Sequence, residues 1–330
     1  MRPGKPINIF YEEPDPDRWF KFDRYPRRVI RRIIRGKHRP GSGMMVAINL
    51  LKGLDKIGMP YRFNDYRYIR NHPEEIACIV GRHETLFEKK WDNPVLFGAA
   101  LYSHPLFCPD LFTRYPNIKR YLVPGEWMQK MCEPLYGDKV VAWPVGIDTN
   151  YWQPDNTEKT IDFLIYYKIR WEHQLMNIEL IDPIIETLEQ QGISYHFIKY
   201  GSYTHPELMD KLKISKAVIF LCEHETQGLA YQQILAENIP ILAWDRGGYW
   251  QDPEYYPDRV KYQPVSSVPY WDERCGVKFA GATDFKEKLK IFLNLADTFR
   301  PRDYIMENLT LEICAEKYLQ IYREAEAELK

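Results

Sequence analysis

Paired cysteines, long apolar runs and excess charge are all missing from this 330-residue sequence. Its six cysteines form no Cys-x-x-Cys pair and show no spacing typical of metal ligands, so we expect reduced thiols in a cytoplasmic protein. No apolar run approaches the roughly 20 residues that span a bilayer, and the opening residues do not have the pattern of a signal peptide. The formal net charge of −1 argues against a nucleic-acid partner.

Short apolar strands instead alternate with helices along most of the chain. The pattern predicts strands at residues 7–11, 61–63, 76–80, 95–98, 119–123, 139–142, 161–166, 194–198, 217–221 and 240–243. Such alternation favours parallel sheets covered on both faces. A polar, proline-bearing stretch from residue 144 to about 159 interrupts it. The sequence therefore predicts two doubly wound, Rossmann-like α/β domains, residues 1–150 and 151–330, which face each other across a cleft. A last helix at about 309–329 is expected to pack back toward the first domain.

The most informative segment has the sequence EHETQGLAYQQILAENIP and runs from Glu223 to Pro240. It follows a predicted strand and contains an acid, then a glycine at a helix start. Free backbone N–H groups and the positive end of a helix are suited to holding a diphosphate. An acid in the turn can then reach sugar hydroxyls. The alternative is a generic helix start with incidental acids.

This segment resembles the retaining glycosyltransferases of family 4, whose hallmark is Glu-x7-Glu in this setting. The resemblance implies that Glu225 is the first acid, with a catalytic role, and that Gln233 takes the place of the second. An amide still accepts a hydrogen bond from ribose but loses one charged contact. Two further segments carry the resemblance, WPVGIDTNYWQP at residues 143–154 and the glycine loop Gly41-Ser42-Gly43. The alternative for the glycine loop is simple helix capping.

The resemblance implies a GT-B fold and a donor site held mainly by the second domain. Three residues implied for the donor follow the first strand of that domain: Lys168, Arg170 and His173. Five more lie around the helix start: Thr226, Gln227, Gly228, Leu229 and Gln233. The glycine loop of Gly41, Ser42 and Gly43 is implied to face the donor from the opposite side. His173 is alternatively a helix-start residue only. His104 matches a catalytic histidine near the anomeric carbon, the alternative being a histidine of the surface or core.

The implied activity is hexosyl transfer from a nucleotide sugar to a glycan, lipid-linked or other small acceptor, with retention and with no metal or cofactor. Asp15-Pro16-Asp17 has the Asp-x-Asp pattern of a different glycosyltransferase fold, but it lies in a proline-rich loop after the first strand, and we reject it as a metal site. A nucleotide-sugar epimerase and a non-catalytic nucleotide-sugar-binding protein remain as alternatives.

A basic segment precedes the glycine loop. Arg27, Arg28, Arg31 and Arg32 alternate with isoleucines and a valine, so a helix would carry arginines on one face and apolar residues on another. We expect this face to contact an anionic acceptor or the headgroups of a membrane. The alternative is a helix whose arginines pair with acids of the same protein.

Overall fold

The computed structural model describes residues 5–13, 21, 26, 41–98 and 104–329. These residues form two parallel sheets with helices between their strands. The first sheet contains β1 (Ile7–Phe10), β2 (Tyr61–Phe63), β3 (Ala77–Ile79), β4 (Val95–Gly98), β5 (Ile118–Val123) and β6 (Val140–Ala142). The second contains β7 (Ile161–Lys168), β8 (Tyr195–Lys199), β9 (Ser215–Cys222), β10 (Ile241–Trp244) and β11 (Gly276–Phe279). The predicted α/β class is therefore confirmed.

Helices fill most of the connections between these strands. The α-helices are Ser42–Lys56, Tyr66–Arg70, His83–Phe87, Leu111–Arg114, Glu126–Tyr136, His173–Met176, Asp182–Gln190, His205–Ile214, Leu229–Ala236, Ala282–Leu295, Pro301–Asn308 and Leu311–Ala327. The helical segment from His173 to Gln190 contains a π-helical turn, Asn177–Ile181. Pro183 lies just beyond it, and a proline ring clashes with the carbonyl group four residues earlier, so the wider turn accommodates the ring.

Each sheet has a point where the strand order reverses. The first sheet is ordered β2-β1-β3-β4-β5-β6, and the second β8-β7-β9-β10-β11. In the first sheet, β2 therefore lies outside β1 on one side, and β4 to β6 follow β3 on the other. In the second sheet, β8 lies outside β7 on one side, and β10 and β11 follow β9 on the other. In doubly wound sheets, ligands bind beyond the carboxyl ends of the two strands that flank such a switch point.

The second sheet is buried on both faces. Alternate residues of its strands enter two apolar clusters, one with Leu164, Val218 and Phe220 and the other with Ile165 and Ile219. Strands buried on both faces consist of nearly continuous apolar residues, which is why these segments are recognisable in the sequence. This packing fixes where each strand ends and thus where the following polar residues lie.

The chain forms two compact units. The first combines the described part of Met1–Val123 with Cys132–Trp143 and Ala315–Lys330, and the second combines Pro124–Met131 with Pro144–Cys314. The single boundary near residue 150 stays a prediction. Within the second unit, Ile147 bridges Thr310, and a Cβ at Gly146 would lie 2.6 Å from the Leu311 Cα. The segment that begins with Pro144 is therefore fixed to the end of the second unit.

Glu237 provides a test of packing in this unit. It follows the Leu229–Ala236 helix, is only 8% exposed, and its Oε1 atom has no hydrogen-bond partner in the described part of the chain. Burial raises the pKa of Glu237 to about 7. The folded state therefore binds a proton more tightly than the unfolded state, and the stability from this group falls as pH rises from about 4.5 to about 7.

We expect Glu237→Gln to stabilise the protein at pH 8 by on the order of 2 kcal/mol and to have little effect at pH 4.5. Chemical denaturation at both pH values measures this difference. Glu158→Gln, at an exposed position, is the control. An equal effect of Glu237→Gln at both pH values would contradict the assignment.

Candidate functional site

The β7/β9 switch point brings the ends of two buried strands together. Lys168, the last residue of β7, is paired in register with Cys222, the last residue of β9. The residues that follow these strands, 169–171 and 223–228, therefore lie side by side. Six of the residues implied for donor binding or catalysis are in this region: Lys168, Arg170, Glu225, Thr226, Gln227 and Gly228.

A buried ion pair joins the two strand ends. The Lys168 ammonium group donates to the Glu225 carboxylate, and both side chains are almost inaccessible to solvent. The Lys168 Nζ atom also lies 4.2 Å from the centroid of the Tyr200 ring. Burial opposes the charge of Lys168, but the Glu225 carboxylate outweighs it, and the pKa of Lys168 is raised. Lys168 is thus held in its charged form.

The backbone of Glu225 is fixed from two other segments. Its N–H donates to the Ser266 carbonyl oxygen at 2.9 Å, and its carbonyl oxygen accepts from the Trp127 Nε1–H at 2.9 Å. Ser266 is in turn hydrogen-bonded to Asp245. These contacts fix the backbone of Glu225 independently of its ion pair.

A second acid and base lie beside the first pair. The Glu223 carboxylate accepts from the backbone N–H groups of Arg170 and Trp171 at 2.7 and 3.1 Å. The Arg170 guanidinium donates to His224 Nδ1 at 3.0 Å and to the His224 carbonyl oxygen. Glu223 and His224 therefore hold the turn that follows β7.

The helix Leu229–Ala236 begins at the same place. Its N-cap is Gly228, which has φ of +73° and, as a glycine, no side chain that could cap the first turn. The helix start therefore presents backbone N–H groups and a partial positive charge, as an anion-binding site requires. Leu229 is its first residue and is half-buried, as is Thr226 in the turn before it.

The two glutamines of the predicted site have different surroundings. The Gln227 side chain accepts from the Val145 N–H at 3.0 Å and donates to the Val145 carbonyl and to Gln232, so its amide joins segments of the protein. The Gln233 side chain is buried, yet makes no hydrogen bond within the described part of the chain. Its amide is available to a ligand.

Gly41, Ser42, Gly43 and His104 belong to the first compact unit. Gly41 is the N-cap of the Ser42–Lys56 helix. A Cβ at Gly43 would lie 3.1 Å from the Gly81 carbonyl oxygen, so a small residue is favoured at this position. His104 is buried, and its Nδ1 accepts from the Leu106 N–H at 3.1 Å, which makes His104 the N-cap of a short 3-10 helix. Its catalytic role stays a prediction.

His173 is the first residue of the His173–Met176 helix, and its ring contacts Tyr167 rather than the ion pair.

The arginines Arg27, Arg28, Arg31 and Arg32 lie outside the described residues, so the membrane or acceptor contact expected of them stays a prediction. Across the described ranges we found no helix long and apolar enough to cross a membrane. The same ranges contain no group of three His, Cys, Asp or Glu side chains arranged for a metal ion.

Several residues of this site were not predicted. Glu223, His224, Arg246, Trp127 and Ser266 all contribute to it. Glu223 and His224 directly precede Glu225, and their polarity after a buried strand was a usable signal. Trp127 is 98 positions from Glu225, and no local pattern links the two.

Comparison with known proteins supports the fold. No protein-family model and no curated protein matches the sequence. Among solved structures, TarM aligns with a TM-score of 0.56 at 13% identity, covering 84% of this chain and 58% of TarM. A lipopolysaccharide outer core galactosyltransferase, WaaB, aligns with a TM-score of 0.52 at 9% identity, covering 97% of this chain and all of WaaB. The GtfA/B complex aligns at 0.50 and 11% identity, covering 76% of this chain.

The chain spans less than three fifths of the TarM and GtfA/B chains that it matches. At these identities the likeness concerns the fold, and the two-domain α/β architecture of GT-B type is confirmed. One TarM variant from S. aureus was crystallised with fondaparinux, α-GlcNAc-glycerol and UDP.

The helix start depends on the glycine at its N-cap. A Cβ at Gly228 would lie 2.1 Å from the Tyr231 ring, and the Tyr231 hydroxyl is held by the backbone of Tyr270. At Gly192, which also has a left-handed φ of +66°, a Cβ would meet nothing within 4 Å. The two positions therefore separate backbone strain from steric overlap.

We expect Gly192→Ala to cost about 1 kcal/mol of stability through its backbone conformation alone. Gly228→Ala should cost about 3 kcal/mol or more, because it adds overlap with a buried ring. Urea denaturation of both variants measures the difference. Equal costs would mean that the Gly228 turn is not constrained as described.

Proposed function

We propose that this chain is a glycosyltransferase that moves a hexose from a nucleotide-sugar donor to a glycan, lipid-linked or other small acceptor. The observation that carries this proposal is the buried Lys168–Glu225 pair beside the uncapped helix start at Gly228. It lies at the β7/β9 switch point, where doubly wound sheets bind ligands. Transfer with retention, without a metal and in the cytoplasm are further parts of the proposal.

The geometry matches the chemistry of a nucleotide-sugar donor. When the sugar leaves, negative charge develops on the diphosphate, and groups already oriented toward it stabilise the transition state. Lys168 and the first N–H groups of the Leu229–Ala236 helix supply positive charge. The Glu225 carboxylate, whose backbone is fixed by Trp127 and Ser266, can accept hydrogen bonds from sugar hydroxyls.

We expect the side chain of Gln233 to bind the nucleoside of the donor. This side chain lies one helical turn beyond the helix start, and its amide has no partner in the described part of the chain. An amide can accept from a ribose hydroxyl and donate to another oxygen. The UDP of the TarM complex makes uridine diphosphate the first nucleotide to test.

We also propose that the protein binds the surface of a membrane through Arg27, Arg28, Arg31 and Arg32. Co-sedimentation with anionic liposomes tests this proposal.

Removing the charge of Glu225 should abolish most activity. We expect Glu225→Gln to lower turnover by about two orders of magnitude, the usual effect of losing one oriented charged contact. Release of nucleoside diphosphate from UDP-, GDP- and ADP-sugars measures this, at a temperature well below the melting point of the variant. The melting point is expected to fall as well, because the change leaves Lys168 buried without its partner.

Asp162→Asn is the matched control, because it breaks the more exposed pair with Lys216 in the same sheet. It should leave turnover within a factor of a few. If Glu225→Gln melts earlier but turns over normally, Glu225 is structural. Tight binding of nucleotide sugars by the wild-type protein, without any release of nucleoside diphosphate, would instead indicate a non-catalytic binding protein.

Gln233 should affect nucleotide binding and leave the chemical step unchanged. We expect Gln233→Glu to tighten UDP binding by about tenfold, because a carboxylate makes a stronger hydrogen bond to ribose than an amide does. The rate constant at saturating donor should stay within a factor of about three. Calorimetric titration with UDP, GDP and ADP measures the affinity, and Gln190→Glu on an exposed helix end is the control. Unchanged affinity for all three nucleotides would exclude Gln233 from the nucleotide site.

A further inference from the structure

His224 lies in the turn after β9, directly before Glu225, and is only 3% exposed. Three tryptophans surround its ring. The centroid distances are 5.4 Å to Trp171, 5.8 Å to Trp127 and 6.5 Å to Trp250. The contact with Arg170 accounts for one nitrogen of this ring and leaves the other, which lies in a turn that carries a candidate catalytic acid, without an assigned role.

The hydrogen bonds of His224 fix its tautomer. Its Nδ1 atom lies 3.0 Å from the Arg170 guanidinium, and arginine only donates hydrogen bonds, so Nδ1 is the acceptor. Burial, and then the nearby positive charges of Arg170, Arg246 and Lys168, lower the pKa of His224 to about 2. The ring is therefore neutral at physiological pH, and its single proton is on Nε2.

The Nε2–H group has no hydrogen-bond partner in the described part of the chain, although the atom is buried. Folded proteins rarely leave a buried donor unpaired, because its lost hydration is not replaced. Such a donor next to Glu225 indicates that an oxygen atom of a ligand completes it.

We propose that the Nε2–H of His224 donates a hydrogen bond to a hydroxyl oxygen of the donor sugar, which makes His224 a specificity-determining residue. The proposal rests on the proposed function. A neutral donor suits a neutral hydroxyl, whereas the diphosphate has Lys168 and the helix start at Gly228 as cationic partners. Indole rings such as Trp127 and Trp171 provide apolar faces for the C–H groups of a sugar. Arg170 acts through His224, because it holds the ring in the tautomer that donates from Nε2.

Two substitutions separate the nitrogen atoms of the ring. In His224→Asn the amide can replace the Nδ1 acceptor for Arg170, but nothing replaces Nε2–H. In His224→Gln the longer amide can place an N–H near the Nε2 position. We expect His224→Asn to weaken binding of UDP-glucose, UDP-galactose or UDP-GlcNAc, whichever the wild type binds, by about tenfold. UDP affinity should stay within twofold, and His224→Gln should retain most of the affinity for the nucleotide sugar.

Calorimetric titration of the two variants and the wild type, each with UDP and with the nucleotide sugars, decides between the possibilities. If His224→Asn weakens UDP as much as the nucleotide sugar, the ring acts on the diphosphate and the proposal is wrong. If His224→Asn changes neither affinity, the ring is only structural. If the wild type binds UDP and no nucleotide sugar of the UDP, GDP and ADP series, or binds no nucleotide at all, the proposed function fails and this inference fails with it.

A measurement on the unsubstituted protein covers the case in which a variant does not fold. With 15N-labelled histidine, the imidazole N–H resonance of His224 should be present in the free protein. It should move downfield on addition of the nucleotide sugar but not of UDP. A resonance that UDP shifts equally, or that neither ligand shifts, overturns the proposal.

Discussion

The ion pair between Lys168 and Glu225 determines the geometry of the candidate site. Two charges that are buried lose their hydration, and their mutual attraction only partly offsets that loss. Such a pair therefore contributes little to the net stability of the fold. The pair joins the ends of β7 and β9 at the strand switch point. Without a ligand, Glu225 neutralises Lys168. A bound diphosphate would give Lys168 a second anionic partner and leave Glu225 free to accept from sugar hydroxyls.

The neighbouring residues have a similar arrangement. Glu223 holds the backbone of the turn at Arg170, and Arg170 holds the ring of His224. Arg246 is close enough to lower the pKa of His224, so Lys168, Arg170 and Arg246 provide positive charge near the switch point. The carboxylates of Glu172, Glu223 and Glu225 lie near these cations, and the helix start at Gly228 adds a partial positive charge. Such a site attracts an anion without strong repulsion among its own cations when it is empty.

Much of this arrangement could be predicted from the sequence. Strands buried on both faces are continuous in apolar residues, so most were recognisable. Lys168, Glu225 and Gly228 could be placed together because each follows the end of a strand or begins a helix. The short edge strand β11 was missed, since a four-residue segment containing Lys278 has little periodicity. The roles of Trp127 and Ser266 depend on segments distant in the chain. The tautomer of His224 depends on one contact to Arg170, which only coordinates reveal.

The two switch points differ in a way that bears on function. At the β1/β3 pair, Gly43 and Gly81 approach each other through their backbones, and the nearby pair of Arg82 and Glu13 is about one third exposed. Solvent screens such a pair, and its charges interact only weakly with a ligand. At the β7/β9 pair the charges are buried, where the effective dielectric constant is lower and each contact with an anion is stronger. The same strand order thus yields a close backbone approach in one unit and a charged site in the other, and this difference supports the proposal that the second unit recognises the diphosphate.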